Sequence, residues 1–183
     1  MDSQLSDKKA ILVIDMLNGF CRAGHLASAR LDSITARLRD HLIREQAAGA
    51  DLVFLADTHT PDDPEFAMFP PHCIEGSGEE EIVPELAGLA ARGHVVRKRT
   101  FSGFYGTGLD ELLERLAPDV AEVTGVCTDI CVLHTVYDLR IRGYAVVVRR
   151  GLVETYDAPG HAADEMNRFA LAHIRDVLGA TVT

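Results

Sequence analysis

Ala10 to Met16, AILVIDM, is an apolar run broken only by Asp15, and Leu52 to Ala56 is a second run that stops at Asp57. Neither alternates polar with apolar, as a strand with one wet face would. Each therefore reads as a strand buried on both faces, the habit of parallel sheets. Val95 to Lys98, Val120 to Val126 and Tyr144 to Val148 read as further strands, with Ala180 to Val182 as a short last one. Between them run segments of helical period. Leu31, Ile34, Leu38 and Leu42 lie three or four apart and end near Gly49, and Leu109 to Leu116 is a short helix. Met166, Phe169, Ala170, His173, Ile174 and Val177 make the most regular stripe, on which His173 reads as a satisfied core residue. Strand and helix in alternation predict an α/β fold, a doubly wound parallel sheet with helices on both faces.

The 183 residues suit a single domain spanning 1–183, and no repeat or linker interrupts them. A net charge of −10 speaks against nucleic acid or an anionic membrane as partner. No apolar run nears the roughly 20 residues that span a bilayer. The leading MDSQLSDKKAILVIDM lacks the apolar core of a secretion signal, so a cytoplasmic protein is expected. Cys21, Cys73, Cys127 and Cys131 are read as reduced thiols rather than staples.

In such a sheet the ligand sits at the carboxyl ends of the strands, where Asp15, Asp57, Lys98 and the Cys127/Cys131 pair all fall. After the Val120 to Val126 strand comes a tight turn, with Thr128 and Asp129 as helix-capping residues and Cys131 in the first helical turn. Unpaired N–H groups and the helix dipole there favour a thiolate and can hold an oxyanion. A buried structural cysteine is the alternative reading. Asp57 and His59 point to the same side of an extended chain, and Glu65 and His72 follow on a long proline-rich loop. Two imidazoles and two carboxylates suit zinc, iron or manganese. Taken alone, Arg97-Lys98-Arg99 is a solvated basic cluster, yet in a strand Lys98 faces away from both arginines. Phe20, Phe69 and Phe101 lie near these groups and are candidate walls of an aromatic pocket.

The motifs IDMLNGF, DTH, FPPHCIEGS, KRTFSGFYGT and GVCTDICVLHT, in this order, resemble the isochorismatase-like cysteine hydrolases, and DTH with FPPHC resembles the nicotinamidase (pyrazinamidase) branch. The resemblance spans Ile11 to about Asp157 and implies a three-layer α/β/α fold with a six-stranded parallel sheet. It implies Cys131 as nucleophile, Asp15 and Lys98 as its catalytic partners, and an oxyanion hole from the N–H groups of Cys127 and Cys131 behind a cis Val126–Cys127 peptide. It implies a divalent metal, zinc before iron or manganese, on Asp57, His59 and His72, with Glu65 as fourth ligand. The activity implied is hydrolysis of nicotinamide to nicotinate and ammonia through a thioester, within NAD salvage. The alternative within the superfamily is a cysteine amidase for another small amide or carbamoyl compound, and a homo-oligomer stays open. Leu17 and Gly19 depart from the pattern, standing where a glutamine and a second aspartate are frequent, and the His59 to Glu65 loop is short.

Overall fold

The apolar runs do become strands buried on both faces. In the computed structural model, which describes residues 8–183, alternate residues of β1 (Lys9–Ile14) enter two separate cores. Ala10, Leu12 and Ile14 face one, and Ile11 and Val13 the other. The missing alternation in the sequence is thus the mark of a middle layer. The N-terminal stretch weighed as a secretion signal lies in part, at 1–7, outside the described residues. Among the described residues no helix is long and apolar enough to cross a membrane.

Six strands pair in parallel in the order β3-β2-β1-β4-β5-β6. The others are β2 (Asp51–Asp57), β3 (His94–Lys98), β4 (Val120–Val126), β5 (Ala145–Glu154) and β6 (Thr181–Val182). The chain winds outward from β1 in one direction and from β4 in the other, so the crevice of the sheet opens between these two neighbours. On one face lie α2 (Ala29–Asp32), α3 (Thr35–Ala47) and α4 (Pro84–Ala90), which bury Leu31, Leu38, Leu42, Leu86 and Leu89. On the other lie α5 (Leu109–Leu116), α6 (Leu133–Ile141) and α7 (Ala163–Asp176). A single turn, α1 (Asn18–Cys21), follows β1.

Three details differ from the sequence reading. Helix α4 was not legible, because seven residues behind Pro84 give too few turns for a period to show. Strand β5 runs on to Glu154 past Arg149-Arg150-Gly151, where its register against β4 shifts by a bulge. In α7 the buried residues are Ala163, Ala170, Leu171 and Ile174, whereas Phe169 and Val177 are 62% and 67% exposed. Ala163 and Ala170 pack inward with Leu171 and Ile174, and Phe169 and Val177 turn outward.

At Gly125 the backbones of β1 and β4 nearly touch. A Cβ there would sit 2.1 Å from the Ile14 carbonyl oxygen, and the residue's φ is +104°. Only glycine meets both demands. Gly19 has a comparable reason, since a Cβ would meet Cys73 Sγ at 2.7 Å. The Asn18 and Gly19 amides donate to Glu81 and Glu79 carbonyls, so the departing stretch 17–19 is laced onto the loop before α4.

Candidate active site

Asp15, Lys98 and Cys131 come from three different elements and meet at one point. Asp15 leaves β1 with φ +51°, its amide donating to Leu55 O and its Oδ1 accepting from the Asp57 amide at 3.0 Å. Lys98 ends β3, buried as the alternation of Arg97 and Arg99 outward requires. Its Nζ lies 2.8 Å from Asp15 Oδ2 and 2.6 Å from Asp57 Oδ1, and donates to Thr100 O at 3.1 Å. Cys131 Sγ is 3.7 Å from the same Nζ. Burial works against the Lys98 charge, but Asp15 and Asp57 outweigh it and hold the ammonium well above its usual range.

Burial, then the neighbouring Asp57, push the Asp15 carboxyl up to about 6 against the pull of Lys98. Burial also drives the Cys131 thiol well above its usual range, which Lys98 only partly offsets. This corrects the expectation of a thiolate at a helix start. Desolvation exceeds the helix-end effect, so at neutral pH the resting pair is a carboxylate beside a thiol. The local turn also differs from the expected cap. Thr128–Val132 forms one π-helical turn leading into α6, and its N-cap is Cys127. Thr128 is buried with its hydroxyl unpartnered, while Asp129 bonds to Thr155 and His161. The Val126–Cys127 peptide is cis. Cys127 O accepts from the Ile130 and Val132 amides, whereas the Cys127 amide itself has no acceptor among the described residues.

Beside these groups one ligand atom each of Asp57, His59, Glu65 and His72 lies within 4.8 Å of the others, all four residues buried. Asp63 caps the 3₁₀ turn Pro64–Ala67 by accepting from the Glu65 amide, which holds Glu65 in place despite the short loop. His72 Nδ1 donates to Pro70 O at 2.8 Å, leaving the Nε2 lone pair toward the cluster. His59 is fully buried, with Nδ1 3.2 Å from Asp63 Oδ2 and Nε2 without a hydrogen-bond partner. Burial and then Asp57 raise the Glu65 carboxyl to about 7, whereas burial lowers His72. Two aimed imidazoles and two carboxylates around one point are a donor set that fits a divalent transition metal. Cys73 lies outside the set, its thiol turned toward Gly19 and Glu79.

Both groups open onto one cavity of about 330 Å³ lined by Phe20, Phe69 and Phe101 as well as Asp15, Cys127 and Cys131. Phe69 meets Phe101 edge to face at 6.0 Å, and Phe20 lies 5.5 Å from the His72 ring. Sequence reasoning did not find the Lys98–Asp57 contact, Asp63, or Phe66, whose ring lies 5.2 Å from His59 and 5.6 Å from His72. It also missed Tyr156, which lines the cavity.

A parallel sheet that gathers a thiol, a carboxylate and an ammonium at its strand ends, beside a metal-type donor set, defines a small α/β hydrolase. The chain belongs to the isochorismatase family, whose isochorismatase domain matches residues 9–183. It is 30% identical to nicotinamidase 1 of Arabidopsis thaliana, over 92% of this chain and 78% of that protein. Among solved structures it resembles a pyrazinamidase/nicotinamidase of Streptococcus mutans, with a TM-score of 0.87 and 31% identity over 96% of this chain and 100% of the other. It also resembles N-carbamoylsarcosine amidase of Thermoplasma acidophilum, with a TM-score of 0.84 and 31% identity over 96% and 95% of the two chains.

Proposed function

We propose that this protein is a metal-containing cysteine amidase that hydrolyses nicotinamide to nicotinate and ammonia. What carries the reading is one cavity lined by Asp15 and Cys131, by Asp57, Glu65 and His72 of the metal-type set, and by three phenylalanines, with Lys98 and His59 buried just behind it. Asp15, ionised at neutral pH, accepts the proton of Cys131 as the sulfur attacks the carboxamide carbon. Lys98, within 3.7 Å of that sulfur, stabilises the thiolate as it forms. The Cys127 amide, which has no acceptor among the described residues, and the Cys131 amide hold the oxyanion. The C–N bond then breaks, Asp15 returns its proton to the leaving ammonia, and a thioester remains on Cys131. Water, giving its proton to Asp15, hydrolyses that thioester, and Cys131 recovers its thiol. A divalent ion held by Asp57, His59, Glu65 and His72 supplies a coordination position for the ring nitrogen of a pyridine.

The resemblance to an N-carbamoylsarcosine amidase favours one second reading, an amidase for another small amide. Benzamide separates the two, since it carries the carboxamide of nicotinamide without the ring nitrogen. A site built around a polar contact rejects the analogue lacking it by orders of magnitude. Ammonia release is expected to be fast from nicotinamide and very slow from benzamide, and chelation is expected to slow nicotinamide without speeding benzamide. Equal kcat/KM for the two amides in the metal-loaded protein would remove the ring-nitrogen contact and leave the second reading.

A further inference from the structure

The segment joining β5 to α7 forms part of the cavity wall through Tyr156, Asp157 and Ala158, although no motif in the sequence pointed there. It is fastened to the turn that carries Cys131. Thr155 is fully buried and its hydroxyl donates to Asp129 Oδ1 at 2.6 Å. His161 Nε2 lies 2.7 Å from Asp129 Oδ2, and its Nδ1 lies 2.9 Å from the Tyr156 carbonyl oxygen. Ala158 and His161 exchange backbone hydrogen bonds, closing the segment into a tight loop. Both oxygens of Asp129, two residues before the thiol, are therefore occupied in holding this loop.

The imidazole has two acceptors, a carboxylate and a carbonyl, and satisfies both only as the doubly protonated cation. The imidazole lies flat on the Tyr156 ring, with centroids 4.2 Å apart and planes 8° from parallel. Stacking of this kind is attractive in itself and fixes the orientation of the phenol ring. With one face covered by His161, Tyr156 lines the same cavity as Phe20, Phe69 and Phe101. An arrangement this specific, spent on a half-buried tyrosine, has no part in the acyl-transfer groups described above.

We infer that Tyr156 is a specificity-determining wall of the cavity, the surface on which the flat ring of an aromatic carboxamide rests, and that Asp129 and His161 are its positioning residues. The inference rests on the aromatic-carboxamide reading and adds the residue that selects the ring.

The test measures kcat and KM for nicotinamide, benzamide and propionamide in the metal-loaded wild type and in Tyr156→Ala, Tyr156→Leu, Tyr156→Phe and His161→Ala, with melting temperatures alongside. Tyr156→Ala and Tyr156→Leu are expected to raise KM for the ring amides about tenfold, with kcat little changed and propionamide unaffected. Tyr156→Phe restores the wild-type KM, and His161→Ala moves KM in the same direction as Tyr156→Ala. An unchanged KM for a ring amide in folded Tyr156→Ala or Tyr156→Leu overturns the wall while leaving the nicotinamide reading intact. An equal loss on propionamide also overturns it, by showing a purely structural role. Turnover of a ring amide other than nicotinamide, with the same Tyr156→Ala loss, upholds the wall and removes only the nicotinamide assignment. A wild type that turns over no ring amide overturns both.

Discussion

Lys98 lies closer to Asp57 than to Asp15: its Nζ is 2.6 Å from Asp57 Oδ1 and 2.8 Å from Asp15 Oδ2. The other oxygen of Asp57, Oδ2, is 3.8 Å from His59 Nε2 and 3.9 Å from His72 Nε2. One carboxylate thus faces the ammonium with one oxygen and the imidazole cluster with the other. Burial works against its charge, but Lys98 and His59 overcome it and hold the carboxyl below its usual range. The bond-breaking groups and the metal-type set therefore share an electrostatic hinge.

Lys98 matters by charge and by size. It sits fully buried between two carboxylates, where a guanidinium is too large and planar to fit without moving Asp15. Lys98→Arg is expected to lose about a hundredfold or more in kcat/KM, nearly as much as Lys98→Met. Lys98→Met also leaves two buried carboxylates facing each other, so urea unfolding should show a loss of about 3–5 kcal/mol. Near-normal ammonia release in Lys98→Arg would reduce the residue to a general electrostatic role.

Cys131 and Cys127 are expected to separate cleanly. Cys131→Ala abolishes turnover, because its Sγ is the sulfur that lies 3.7 Å from Lys98 Nζ. Cys127→Ala keeps most of it, since alanine retains the backbone amide at this cavity-lining position. Rapid quench with a radiolabelled amide should trap a thioester on wild type and Cys127→Ala only. The opposite behaviour of the two variants would exchange their roles.

Metal binding should be visible as stability. His59 Nδ1 lies 3.2 Å from Asp63 Oδ2, and its buried Nε2 has no hydrogen-bond partner, a cost that a bound ion offsets. At a free Zn²⁺ concentration about 100 times Kd the gain is about 2.7 kcal/mol, or roughly 5–10 °C in Tm for a chain of this size. His59→Ala is expected to abolish that rise, and Glu65→Ala to shrink it by moving the titration midpoint to higher metal. A full rise in His59→Ala, read by scanning calorimetry, would place the ion elsewhere.

The loop at Tyr156 predicts a pH effect on stability. Burial alone would lower the His161 pKa, but the hydrogen bonds to Asp129 and to the Tyr156 carbonyl raise it. Stability from this contact is fully present below the unfolded value of about 6.5 and is lost as pH rises through the higher folded value. The Tm difference between wild type and His161→Gln should therefore be larger at pH 6 than at pH 9. A difference that is flat across that range, or that grows with pH, would remove the imidazolium.

The sheet was legible because β1 and β2 are buried on both sides, and such burial leaves short unbroken apolar runs that their length and their alternation with helical stripes mark as strands. Asp15, Asp57 and Lys98 were legible for a related reason: a charged residue closing an apolar run must stand at a strand end. Cys131 was found by its turn, but its protonation state was not, because desolvation depends on everything packed around a residue rather than on its neighbours in sequence. The same holds for Tyr156 and His161. The loop is held by Asp129, 32 residues before His161, and no local pattern marks a contact of that range. The sides of α7 were misjudged because two buried alanines look weaker in a periodicity than an exposed phenylalanine and valine.

Gly125 touches no substrate, holds no proton and packs no side chain, yet the line it draws runs through the whole site. Pressed against the Ile14 carbonyl, it makes β1 and β4 end level, so that Asp15 and Val126–Cys127 leave the sheet side by side. The gap between base and sulfur is therefore gauged by the width of a hydrogen atom on a residue that takes no part in the reaction. In a saturation scan this position would behave like an active-site residue, tolerating no substitution. Every replacement would first appear as misfolded protein, with the machinery intact in sequence and out of alignment in space.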